Sequence, residues 1–381
     1  MSVEQPNLDQ GTILKFARLA TGCHDLQIDT WETTTLSVQG RRSIFRLAGI
    51  GDGGEASRPW SVVLKQIQAP EDPDAPDAEV DHCAYWEREY LLYQAGVPQS
   101  LTGDLRAPHC FGVLQPVPDL RWIWLEDLHD RYHGAWPIEH FAKTAYHLGI
   151  FNGQYLVNKP VPEGNNIARH ALRCSSGYYI EEFNRYRDPS VWKHPLIRRA
   201  YPKPVIETLD RLAADREKFL DVLESLPQTF CHLDAWHGNM AAVLNADRTE
   251  STVLFDWALA GYGAPGEEIG HLIWVALLEF QVDFQDAARL ESEVFNHYLQ
   301  GLEDAGWQPD PTQVRCAYLI NSILQFGFAL EAVDHALDED AYATAEELYS
   351  KPIDQLVIQA AQVTYLLIER MDELRSLLDH L

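Results

Sequence analysis

The hydrophobic pattern of this chain changes character near Trp136. Before that point the runs TTTLSV, SIFRLAGI and WSVVLKQI are rich in β-branched and aromatic residues. GRR and GDGGEASRP break them, so the segment reads as strands joined by turns. An acidic, proline-bearing loop, EDPDAPDAEVD, comes next. In AYWEREYLLYQAG, Tyr85, Leu92 and Tyr93 fall on a helical stripe and Gly96 is a stop signal. HCFGVLQP and LRWIWLEDL read as two further strands. After Trp136 apolar residues recur at helical spacing in PIEHFAKTAYHLGIFNGQYL, VIETLDRLAADREKFLDVLESLP, GHLIWVALLEF, QDAARLESEVFNHYLQGL, TQVRCAYLINSILQFGFALEAV and IDQLVIQAAQVTYLLIERMDELRSLL. Only QTFCHLD and VLFDW interrupt them. A chain of 381 residues is too long for one small core. The pattern predicts an α+β protein with a β-rich lobe over residues 1–127 and a mostly helical lobe over residues 128–381.

Charge narrows the partners. The formal net charge is −27, and such a surface repels nucleic-acid phosphates and anionic lipid. Neither is expected as a partner, whereas a cationic small molecule would be attracted. No run reaches the ~18 apolar residues of a membrane span. MSVEQPNLDQ lacks the basic and apolar segments of a signal peptide, so a cytoplasmic location is expected. The six cysteines form no CxxC pair, so neither a zinc site nor a disulfide framework is indicated.

The chemistry concentrates in HLDAWHGNMAAVLNADRTESTVLFDW, His232 to Trp257. QTFCHLD and STVLFDW each end a strand-like run on an acid, and in the shortest reading the two strands pair like a hairpin. Asp234, Asn239 and Asp256 would then converge at one edge. Phosphoryl transfer needs such a set: two oxygen ligands for Mg²⁺ and a further carboxylate for the incoming hydroxyl. The ordinary alternative is a polar turn. The order H-x-D-x4-N, then an apolar-apolar-D-W strand end, argues against it.

Nucleotide phosphates also need a cation. Lys65 is the only lysine between Lys15 and Lys143, and it sits inside the apolar strand SVVLKQI, where a lysine needs a partner. The helix carrying Glu87 and Glu89 could supply one.

These residues resemble the aminoglycoside phosphotransferase and choline kinase group, which has a protein-kinase-like fold. The resemblance spans about residues 25–300. It implies ATP and Mg²⁺ as cofactors, with Asp234 as catalytic base, Asn239 and Asp256 as magnesium ligands, and Lys65 on the α and β phosphates. Glu89 is the implied helix partner of that lysine, with Glu87 the competitor. LEDL (Leu125 to Leu128) implies the hinge between lobes, where backbone groups, with Glu126 and Leu128 the candidates, would meet the adenine edge. The chain departs from the kinase pattern in having a single glycine in SVQGRRSIFRL, where Ser43 is the candidate phosphate donor. In GAPGEEIGHL, Glu267 or Glu268 stands where the family carries an aspartate. Trp257 follows the second aspartate, as is common in the group. No APE motif is present, which argues against a protein substrate.

The function expected is ATP-dependent transfer to a hydroxyl of a small molecule, with an aminoglycoside, amine-bearing sugar or amino alcohol as the guess. Trp236, Glu268, Trp274 and Glu279 are candidate substrate contacts, and the acidic segment EAVDHALDEDAYATAEELYS adds negative charge. Two alternatives stay open: a nucleotide-binding protein on a kinase scaffold without turnover, and a metal-dependent hydrolase using His232, Asp234 and His237. The second leaves Lys65, Asn239 and Asp256 without a role. Oligomeric state is not indicated.

Overall fold

The computed structural model describes residues 6–54, 57–162, 164, 167–245, 248–327 and 330–379. The chain divides into two compact units. The first comprises Met1–Arg131, Glu163–Asn166 and Ala241–Leu259; the second comprises Tyr132–Pro162, Ile167–Met240 and Ala260–Leu381. Residues 241–259, which the sequence pattern places in the helical half, thus belong to the first unit.

The first unit opens with helix α1 (Gln10–Thr21), followed by strands β1 (Gln27–Gln39), β2 (Arg42–Asp52) and β3 (Ser57–Gln68). Helix α2 (Arg88–Gln94) and strands β4 (Leu105–Arg106), β5 (Cys110–Val117) and β6 (Leu120–Leu125) complete its first stretch. Five of these strands form an antiparallel sheet in the order β1-β2-β3-β6-β5. Lys65 pairs with Ile44 on one side and Ile123 on the other, so it lies in the sheet's central strand. The sequence pattern did not anticipate α1. Asp9 caps it through the Thr12 N–H at 2.9 Å, and Gly22 ends it in the left-handed region at φ 63. Its buried face, Ile13, Phe16 and Ala17, covers the sheet core of Phe45, Leu47, Val62 and Leu64. Phe16 stacks on Trp124 with ring centroids 4.1 Å apart.

The second unit begins with α3 (Ile138–Val157), α4 (Ala171–Phe183), α5 (Pro195–Ala200), α6 (Ile206–Ser225) and the short strand β7 (Thr229–Cys231). Strands β8 (Met240–Leu244) and β9 (Glu250–Leu254) then return to the first unit and form a three-stranded sheet in the order β4-β9-β8. The chain continues through β10 (Gly261–Gly263), α7 (Glu268–Leu278), α8 (Ala287–Asp304), α9 (Pro311–Phe326), α10 (Glu331–Leu337), α11 (Tyr342–Tyr349) and α12 (Ile353–Leu378). The hairpin expected between QTFCHLD and STVLFDW does not form. β7 pairs antiparallel with β10, and β9 pairs with β8 and β4.

Helices α3 and α8 meet through glycines. A Cβ on Gly149 would lie 2.2 Å from the Tyr298 carbonyl, and one on Gly301 would lie 2.2 Å from the Tyr146 carbonyl. The crossing is therefore backbone against backbone. By length and composition alone Pro311–Leu337 passes a membrane-span test, with a mean hydropathy of 1.4 over its most apolar window. That window is 81% buried inside the protein, as in a core helix.

Candidate active site

In the first unit the sheet and α2 converge on one cation. Lys65 is 4% exposed, and its Nζ lies 2.5 Å from Glu89 Oε2 and 2.8 Å from Asp256 Oδ1. Burial alone would pull the ammonium down, but the carboxylates of Asp256 and Glu89 outweigh it and hold Lys65 above its ordinary value. It is a charged lysine shared by two acids. Glu89 also accepts from the Trp257 N–H at 3.3 Å. Asp256 has a positive φ of 62, an uncommon backbone for a non-glycine residue, while its side chain keeps 26% exposure.

Glu87 is engaged elsewhere. Its Oε1 accepts from Arg121 Nε at 2.6 Å and its Oε2 from the Tyr85 hydroxyl at 3.0 Å. Sequence reasoning missed Arg88, which is fully buried and donates to the carbonyls of Cys83, His82 and Ala258. It ties the start of α2 to the turn following Asp256, so Glu89 and Asp256 are held from both sides. A charged residue inside the apolar run REYLLY was the available signal.

At the expected hinge, Glu126 is already satisfied. Its carboxylate takes a bidentate pair from Arg106 at 2.7 and 3.0 Å and the His109 N–H at 3.0 Å, and its own N–H donates to the His109 carbonyl at 2.8 Å. That places Glu126 within the packing of its own unit and does not leave its N–H for a base edge. Leu128 is half-buried and lies outside regular structure. Ser43 is half-buried near the start of β2, opposite Val38 and Gln66.

In the second unit the loop after β7 carries Asp234 and Asn239. Asn239 is 8% exposed, and its Nδ2 donates to the Asp234 carbonyl at 3.0 Å and to Asp234 Oδ2 at 2.8 Å. The amide is thereby oriented with its oxygen turned from Asp234. Beneath the loop lies a buried polar network. Asn152 donates to the Phe230 carbonyl at 3.0 Å and accepts from the Tyr298 hydroxyl at 2.6 Å, and the Thr229 hydroxyl donates to the Asn152 carbonyl at 2.7 Å. Glu268 accepts from the His232 N–H.

Two candidate substrate contacts are corrected here. Glu268 is fully buried under the loop, and burial pushes its carboxyl up to about 7 against the backbone donors of His232 and Leu233. It anchors the loop and cannot meet a substrate. Trp274 is fully buried, with its ring parallel to that of Tyr318 at 6.4 Å between centroids. Its helix α7 is buried nearly all round, so the tryptophan is core. Trp236 is half-buried and folds over Gly238, where a Cβ would lie 2.3 Å from the indole. Glu279 ends α7 and contacts His237 Nε2 at 3.1 Å. It also lines a cavity of about 240 Å³ with Phe326, Glu331, His335 and Tyr349. Burial raises Tyr349 to about 12, with the charges of Glu331 and Glu279 adding to it.

Asn239 offers an amide oxygen and Asp256 a partly exposed carboxylate. Each, taken within its own unit, is a hard oxygen donor of the kind that magnesium accepts. His232, Asp234 and His237 do not make the alternative hydrolase set: His232 is fully buried and His237 is committed to Glu279.

The sequence matches the model of the phosphotransferase enzyme family over residues 166–308. No curated protein matches it. Among solved structures, a choline kinase from Cryptosporidium parvum Iowa II is 12% identical with a TM-score of 0.55, covering 97% of each chain. The amicoumacin kinase hAmiN is 13% identical with a TM-score of 0.50, covering 91% of this chain and 94% of its own. At such identities these likenesses establish the fold. The match to the phosphotransferase enzyme family is thus confined to residues 166–308, and the fold of the chain is protein-kinase-like.

Proposed function

We propose that this protein is a small-molecule kinase that transfers the γ-phosphoryl group of ATP to a hydroxyl of an amine-bearing acceptor. The observation that carries the reading is Lys65, buried and charged between Glu89 and Asp256 at 2.5 and 2.8 Å. An acidic chain that buries one lysine in this way has a use for a fixed cation, and nucleotide phosphates are the natural one. The amicoumacin kinase neighbour was solved with AMP-PNP and Ca²⁺, a nucleotide analogue and a divalent cation, in keeping with the same use.

In this reading Lys65 meets the α and β phosphates and Glu89 keeps its ammonium aimed. Asn239 and Asp256 would hold magnesium, which neutralises charge on the transferred group when bound. Asp234 orients the acceptor hydroxyl and takes up its proton as the oxygen attacks in line. Asn239 fixes the rotamer of Asp234 through its 2.8 Å hydrogen bond. Leu128 is the candidate backbone contact for the base, and Ser43 a candidate donor to phosphate. The cavity bearing Glu279 and Glu331 favours an acceptor with an ammonium group, consistent with the net charge of −27.

The reading is tested by ADP release from Mg–ATP across a panel of amino alcohols, amine-bearing sugars and their neutral analogues. Acceptor-dependent release that favours the amines supports it. Metal-dependent binding of ATP without release on any acceptor would favour a scaffold without turnover.

A further inference from the structure

His237 has no place in the chemistry above, yet it occupies a constrained position. It lies three residues after Asp234 and two before Asn239, in a short 3-10 turn. It is 9% exposed and enclosed by aromatic rings: Trp236 edge-on at 5.2 Å, and Trp136 and Phe141 each at 6.4 Å between centroids. Its Nε2 lies 3.1 Å from Glu279 Oε2, and its Nδ1 has no hydrogen-bond partner among the described residues. Burying an imidazole among rings with one nitrogen unsatisfied is costly unless the other nitrogen is well held.

Glu279 is no better placed on its own. It sits at the C-terminal end of α7, where the helix dipole disfavours a negative charge. Helix α7 is buried along most of its length, and its first turn supplies Glu268 to the His232 N–H. The same helix thus grips the loop twice. Glu268 holds its beginning from below, and Glu279 holds its middle through a side chain, 11 residues further along α7 by position.

We propose that His237 and Glu279 form a positioning pair that fixes the loop carrying Asp234 and Asn239, and that this pair couples the loop to the cavity lined by Glu279, Glu331 and Tyr349. The pair rests on the reading of Asp234 as base for its catalytic consequence, but its structural core does not. Glu279 faces both the imidazole and the cavity. An acceptor ammonium drawn to Glu279 therefore acts on the residue that holds the loop. Neither side chain takes part in the bond-making step; both act through Asp234.

Amide hydrogen exchange over residues 232–240 tests the pair without requiring turnover. Glu279→Ala and His237→Phe are expected to speed exchange in that segment about tenfold, while the helices exchange as before and the melting temperature hardly moves. His237→Gln keeps a donor near the Nε2 position and is expected to restore most of the protection. On any acceptor that the wild type phosphorylates, Glu279→Ala should lower kcat by about 10–100-fold with the KM for ATP unchanged. The double variant should be no worse than the poorer single one. Unchanged loop exchange in Glu279→Ala, or equal loss in His237→Gln and His237→Phe, would overturn the pair. Exchange that responds as stated in a protein without turnover would retain the pair and reject the proposed function.

Discussion

At the scale of single residues, the candidate site depends on how each charge is neutralised. Lys65 keeps its proton because two carboxylates offset its burial. Lys65→Met leaves Glu89 and Asp256 facing each other without a cation, so it should reduce kcat/KM for ATP at least about 100-fold, measurable by ADP release. Glu267 behaves in the opposite sense. It is buried, and burial pushes its carboxyl from 4.5 up to about 8, against the hydrogen bond it accepts from the Ala264 N–H at 2.6 Å. The folded protein therefore holds this proton to higher pH than the unfolded chain does. The stability it contributes is complete below the ordinary glutamate value of 4.5 and is lost as pH rises through about 8, by at most about 1.4 kcal/mol per pH unit. Glu267→Gln should flatten the fall of the melting temperature across that window, as followed in thermal melts. An unchanged slope would show that this proton is not linked to folding. The choice between Glu87 and Glu89 belongs to this scale too and was not legible in the sequence. Two residues on one short helix differ only in direction, and Arg121, 34 positions away, claims Glu87.

At the scale of elements, the crossing of α3 and α8 sets how the polar network beneath the Asp234 loop is assembled. Asn152 comes from α3 and Tyr298 from α8, and their 2.6 Å hydrogen bond requires the close approach that Gly149 and Gly301 permit. Gly301→Ala puts a methyl group against the Tyr146 carbonyl and should cost about 1–3 kcal/mol in denaturant unfolding. It should also lower turnover, because the helix that carries Tyr298 is displaced. The sheet and long helices were readable from period alone: β2, β3, β6, α3, α6, α8 and α12 lie where alternation or helical spacing put them. Helix α1 was overlooked although Asp9, the stripe of Ile13, Phe16 and Ala17, and Gly22 carry its start, face and stop. The pairing of β7 with β10 was beyond local pattern, because GYG has almost no strand signal and is recruited by its partner. Glu268 was read as a substrate contact for a related reason. Sequence shows an acid before a helix, but only packing shows that its carboxylate turns under the loop to the His232 N–H.

At the scale of the whole molecule, composition constrains the acceptor more than any single side chain does. With a net charge of −27, the protein's field favours cations, and salt screens that field over about 10 Å at 0.1 M. The KM of an ammonium-bearing acceptor should therefore rise severalfold between low and high salt, while that of a neutral analogue stays nearly level. Equal salt dependence for both would remove charge from the account of specificity. The resemblance carried by HLDAWHGN and LFDW agrees with the match to the phosphotransferase enzyme family over residues 166–308 and with the protein-kinase-like fold. It could not reveal Arg88 or the contact of His237 with Glu279, which depend on side chains meeting across long stretches of chain. The most direct test of the central claim compares Mg–ATP turnover and Mg–ATP-induced thermal stabilisation in the wild type and Asp234→Asn. The account predicts that the variant keeps the stabilisation but loses at least about 1,000-fold in kcat, since it lacks the base and retains Lys65, Asn239 and Asp256. Turnover in Asp234→Asn equal to that of the wild type would contradict it.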